Sequence, residues 1–201
     1  MQRSDSKIRL IIILSALFYM LTGCQSGGLD PVEFKEWVED ENNGIRQTIL
    51  TDSVTLILQY TPPAYQVVME KKAIKISNSE FANALEEYQG MICFKLIILD
   101  KDGKSAFGTI NNSVDSLYHL FGLQNDFKLA FQKDTLPCLM YHYESHGGIG
   151  PDCMIIGFEG NRFSINEGFS FIYEDKVLNI GEVVFPFHKE AINKIPDLKT
   201  Q

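Results

Sequence analysis

The chain has 201 residues, with 26 acidic side chains against 18 basic ones and a net charge of −8. Such a surface repels phosphate backbones, so nucleic acid is excluded as a partner class, and no run of clustered Lys and Arg reverses the sign locally. The length suffices for one domain with a real core, and neither an internal repeat nor a low-complexity tract interrupts it.

Arg3, Lys7 and Arg9 open the chain with positive charge, and residues 10–21 are then apolar apart from Ser15 and the Tyr19 hydroxyl. A hydrocarbon core about 30 Å thick needs about 20 apolar residues as a helix, so this run is too short to span comfortably. A basic head, a short apolar middle and small residues at its end predict a secretory signal peptide over residues 1–23. Leu21-Thr22-Gly23-Cys24 resembles the bacterial lipobox, in which cleavage leaves the Cys as a lipidated N-terminus. That resemblance implies palmitate-type acylation at Cys24, with the lipidated Cys and a short tether covering residues 24–28. One acyl chain holds only marginally at about 0.8 kcal/mol per buried methylene, whereas two or three hold a domain on the membrane essentially permanently. Losing residues 1–23 removes three basic residues and one acidic residue, which leaves a charge of −10.

A single β-rich domain is expected over residues 29–201. Asp30 suits an N-cap, Pro31 the first helical position and Glu33 the reciprocal position of a capping box. Leu29 and Phe34 occupy staple positions, Phe34, Trp37 and Val38 share a face that docks the helix, and Gly44 closes its far end. Residues 54–60, "VTLILQY", predict a strand stopped by Pro62-Pro63, followed by a short helix over residues 65–72. Ser77 and Glu80 form a second capping box, opening a helix with Phe81, Leu85 and Tyr88 on one side. A buried strand is expected in "MICFKLIIL", then a turn at residues 100–103, a strand over residues 106–110 and a short helix over residues 113–121.

Beyond that point the pattern is strongly β. Strands are predicted in residues 126–132, 138–145, 153–160 and 161–166, with the last two flanking a turn at residues 159–162. A hairpin is expected over residues 169–178, and a last strand over residues 181–187 precedes a helical turn. Short antiparallel strands with turn signals every 8–12 residues predict a mainly β fold, an antiparallel sandwich or curled sheet with peripheral helices; α+β is the alternative.

"YHYESHGGIGPDC" carries the densest chemistry. If residues 141–146 are extended, His142, Glu144 and His146 point the same way, and two imidazoles with a carboxylate are the ligand set of several zinc and iron sites. The competing reading is a strand whose polar face meets solvent. Ser145 stands between Glu144 and His146, but sequence neighbours rarely converge as a triad. There is no G-x-S-x-G elbow, no H-E-x-x-H and no phosphate-binding glycine loop, so no catalytic residue is assigned and no cofactor is expected. Asp100 and Asp102 begin like a calcium loop, yet Lys104 replaces the next oxygen ligand and no Glu stands twelfth; the segment reads as a turn. With Cys24 lipidated, Cys93, Cys138 and Cys153 allow at most one disulfide, and small apolar packing is favoured for all three.

Asp52-Ser53-Val54, Asp115-Ser116-Leu117 and Asp134-Thr135-Leu136 resemble the Asp-Ser/Thr-aliphatic motif of O-glycosylation in Bacteroidota, which makes Ser53, Ser116 and Thr135 candidate sites. The same dipeptides also mark turns and caps. "LDPVEFKEWVEDENNGI" soon after a lipobox Cys resembles the start of Bacteroidota envelope lipoproteins without assigned catalysis, and "YHYE" and "FPF…IPDL" are similar as well. The resemblance implies an envelope lipoprotein without assigned catalysis, and the leading expectation is a lipid-anchored, non-enzymatic acidic domain that binds or supports another envelope component. Some members of that phylum carry acidic residues directly after the lipidated Cys as a surface-export signal. Here Gln25, Ser26, Gly27 and Gly28 follow, which implies the periplasmic side of the outer membrane, with surface exposure as the alternative. The rival function is a metal-dependent or hydrolytic enzyme using His142, Glu144 and His146.

Overall fold

The Asp30 carboxylate accepts the amides of Val32 and Glu33, both at 2.9 Å, while the Glu33 carboxylate reaches back to the Asp30 amide. Helix α1 (Pro31–Glu39) therefore opens on the expected capping box. Phe34 and Val38 are buried and Trp37 packs against the core, which docks the helix. Its far end differs from expectation. The helix stops at Glu39, Asp40 caps a 3-10 turn (Glu41–Asn43), and Gly44, left-handed at φ 78°, closes that turn instead. The computed structural model describes residues 28–107, 118–132, 134–147, 150–161 and 164–201. The predicted signal peptide, Cys24 and Ser116 lie outside them.

Strand β1 (Arg46–Leu50) had no clear sequence signal, because it is an edge strand with no fully buried residue to set an alternation. It pairs with β2 (Thr55–Thr61), after which Pro63 starts α2 (Pro63–Lys71) and the Ser77–Glu80 box starts α3 (Asn78–Tyr88). Strand β3 (Met91–Leu99) follows as expected, and Asp100 turns the chain by accepting the amides of Asp102 and Lys104 at 2.9 Å. The strand expected over residues 106–110 is reduced, as far as Phe107, to a Leu99–Ser105 bridge and one bond from the Ala106 amide to Ile98; residues 108–110 lie outside the described set. Of the short helix expected over residues 113–121, residues 113–117 lie outside as well, and a π turn (Tyr118–Gly122) runs into a 3-10 turn (Leu123–Asp126).

Strands β4 (Phe127–Phe131), β5 (Asp134–Pro137), β6 (Met140–Glu144) and β7 (Cys153–Glu159) come next. The strand expected over residues 161–166 is a 3-10 turn (Ile165–Glu167) where it is described, and Arg162 of the expected turn lies outside. The hairpin expected within residues 169–178 also gives way. Strand β8 (Phe169–Glu174) pairs with β9 (Glu182–Phe187), because Asp175 gathers the intervening loop around its own carboxylate through the amides of Val177, Leu178 and Ile180. A helical turn, α4 (Lys189–Ile192), follows.

The strands form two antiparallel sheets, β1-β2-β3-β7-β6 and β5-β4-β8-β9. The fold is mainly β with four helices, and no barrel closes among the described residues. Phe94 of β3 shows how the sheets meet: its ring lies 5.0–5.9 Å from those of Phe158, Phe169, Phe171 and Phe187, of which the last three belong to the other sheet. One buried cluster draws on both sheets and on α1, while a smaller one, Val67, Ile76 and Ala84, seals α2 against α3. No helix among the described residues is long and apolar enough to cross a membrane. Leu29 pairs in parallel with Leu198: its amide donates to Asp197 and its carbonyl accepts from Lys199, and the Gln201 amide then donates to Ile76.

Candidate metal centre

Hairpin β6–β7 sets the site. Its register places Tyr141 opposite Ile156 and Tyr143 opposite Met154, which turns both tyrosines toward the core, where they pack against the main cluster. The alternate residues, His142 opposite Ile155 and Glu144 opposite Cys153, therefore take the outer face. His142 is exposed, Glu144 half-buried and Cys153 buried.

Beyond Glu144 the chain leaves the ladder, and Asp152 fixes where it goes. One Asp152 oxygen accepts the His146 amide at 2.9 Å, and the other accepts the Tyr143 hydroxyl at 2.6 Å. Burial raises the Asp152 pKa, but the bonds from Tyr143 and His146 outweigh it and hold the carboxyl below its ordinary value. The Tyr143 phenol is pushed up to about 12, by burial first and then by the carboxylate it faces.

So held, the His146 imidazole swings to the end of the hairpin. One donor atom each of Glu144, His146 and Cys153 lies within 4.8 Å of the others, with the Cys153 sulfur 3.4 Å from Glu144 Oε2. Two of the three residues expected to act together do converge, and the third member of the group is a thiol. His142 stands outside it, two residues back on the strand. Burial first, and the neighbouring Glu144 carboxylate after it, push the Cys153 thiol up to about 11, against the pull of Lys95. A carboxylate, an imidazole and a thiol can hold a borderline-soft divalent cation.

No family model, curated protein or solved structure matches the chain.

The other candidate residues fall elsewhere. Cys93, Cys138 and Cys153 are all buried free thiols, in keeping with packing rather than a disulfide. Ser53 is exposed in the β1–β2 turn, where its amide donates to the Thr51 hydroxyl, and Thr135 is exposed on edge strand β5. A groove of about 750 Å³ lies beside α3, lined by Lys71, Lys72, Lys75, Glu80 and Glu87 among others. None of the hairpin residues reaches it.

Sequence reasoning passed over Cys153 as a packing residue. The available signal was the hairpin itself: once residues 140–144 and 153–157 are paired, Glu144 must face Cys153.

Proposed function

We propose that this is a lipid-anchored protein of the bacterial cell envelope, carried on the outer membrane facing the periplasm, which acts by binding another envelope component rather than by catalysis. The observation that carries this reading is the passage from Leu21-Thr22-Gly23-Cys24 to Gly28, where the described fold begins. Gly28 lies so close to the Asp197 and Leu198 backbone that a side chain there would collide with it. Only Gln25, Ser26 and Gly27 separate Cys24 from that point, and the four steps from Cys24 to Gly28 can reach at most about 14 Å. The domain would ride directly on the bilayer.

Binding rather than catalysis is supported by apolar exposure at one sheet edge. Leu139 is 62% exposed and Met140 39% at the start of edge strand β6, and Phe121 is 74% exposed. Gln124 ties the two segments together by donating to the carbonyls of Cys138 and Leu139 at 3.2 Å. Apolar side chains gathered at a sheet edge are suited to contact with a partner.

The test is the mass and N-terminus of the mature protein from its host envelope. The expected product starts at Cys24 carrying two or three acyl chains, and the uncleaved precursor accumulates when the lipoprotein signal peptidase is inhibited. A mature chain that retains residues 1–23, or carries an unmodified Cys24, would overturn the reading.

A further inference from the structure

We infer that Glu144, His146 and Cys153 form a zinc-type metal site at the open end of hairpin β6–β7. The inference is independent of the lipid anchor and rests on three observations.

The first is spacing. Tetrahedral zinc, with bonds of about 2.0–2.3 Å to nitrogen, oxygen and sulfur, sets its donors about 3.3–3.6 Å apart. The Cys153 sulfur already stands 3.4 Å from Glu144 Oε2, and the whole group fits within 4.8 Å. Small side-chain rotations of the exposed His146 complete the arrangement.

The second is the origin of the ligands. Glu144 and Cys153 come from adjacent strands locked in register, so their separation belongs to the sheet and not to a mobile loop. His146 comes from the turn, but its backbone is pinned by Asp152, which is itself held by core-packed Tyr143. Such outer contacts orient the ligands of genuine metal sites.

The third is chemistry. Thiolate and imidazole favour zinc and its neighbours over calcium or magnesium, which take oxygen ligands. On binding, the Cys153 S–H bond breaks, the sulfur–metal bond forms and the proton leaves to solvent. Three protein ligands leave a fourth position on the solvent side, for water or for a donor brought by a partner.

The experiment is a cobalt titration of the full-length chain in detergent, followed by zinc competition. Cobalt should give a thiolate-to-metal charge-transfer band with tetrahedral d–d bands at one equivalent, and zinc should abolish both. Cys153→Ser should remove the charge-transfer band. His146→Ala, at an exposed position that the fold does not need, should weaken binding at least tenfold, whereas His142→Ala should leave it unchanged. Absence of the bands, their survival in Cys153→Ser, or equal loss in His142→Ala and His146→Ala would each overturn the inference.

Discussion

The Tyr143 hydroxyl donates to Asp152 at 2.6 Å, and the same carboxylate holds the His146 amide at 2.9 Å, so a core-packed ring governs the position of an exposed imidazole. Tyr143→Phe keeps the ring and removes the bond. A hydrogen bond to a charged group contributes about 1.5–3 kcal/mol when well shielded, and this half-buried one should contribute about 1 kcal/mol. Urea denaturation should show a lower midpoint at unchanged slope. The same substitution should weaken cobalt binding about tenfold, as loss of outer-shell support does elsewhere. Equal midpoints would show that the contact does not stabilise the hairpin end.

Asp126 is fully buried, accepts the Tyr118 hydroxyl at 2.5 Å and pairs with Lys176, whose side chain is 55% exposed. Lys176→Met strands that carboxylate with one partner. Removing the lysine leaves a buried carboxylate short of a partner, which destabilises the fold although the lysine itself is exposed. Calorimetry should show a lowered Tm for the single substitution. Calorimetry should also find that the double substitution Asp126→Leu with Lys176→Met recovers much of the loss; no recovery would mean that the pair itself carries little of the effect.

Asp175 organises the β8–β9 loop by accepting three amides and the Tyr173 hydroxyl. Asp175→Ala leaves these donors without their acceptor at once, and a cost of about 2–3 kcal/mol is expected. Hydrogen exchange should rise at Leu178 and Ile180 before it rises at Phe171. Uniform exchange across the sheet would instead indicate global destabilisation without a local role for the carboxylate.

Alkaline pH should destabilise the domain. Burial pushes the Cys138 thiol up to about 11 and raises that of Cys93, and it raises the Tyr60 and Tyr65 phenols further, with Glu39 adding to the effect at Tyr65. Each group is held neutral in the folded state at pH values where the unfolded chain ionises. The stability they contribute is present below the unfolded values, about 8.5 for a thiol and about 10 for a phenol, and is lost as pH rises through the folded ones. Urea midpoints should therefore fall from about pH 9 upward, and Cys138→Ala should flatten the first part of that fall. Midpoints constant to about pH 11 would contradict the shifts.

The legible parts of this fold were those written in local chemistry. Both capping boxes act where Asp30–Glu33 and Ser77–Glu80 place them, and "MICFKLIIL" is the buried strand its apolar run predicts. What escaped depended on distant partners. Strand β1 shows no alternation because it lies at an edge, and the β8–β9 loop follows from one aspartate rather than a dipeptide turn. The site divides in the same way. Glu144 and His146 were visible as close neighbours, but Cys153 joins them only through strand register, and His142 stays apart although it alternates correctly. Period-two alternation assigns a residue to a face and leaves its distance from a residue on the next strand undefined.

The seam at Leu29 and Leu198 also has a mechanical meaning. Any load applied through the chain N-terminal to Gly28 meets two backbone bonds there, Leu29 to Asp197 and Lys199 to Leu29, before it reaches the β-sheets. The segment from Asp197 to Gln201 passes that load on to Ile76 and Asn78 at the start of α3. It works as a clasp, sharing the strain between two distant stretches of chain so that neither peels from the domain alone.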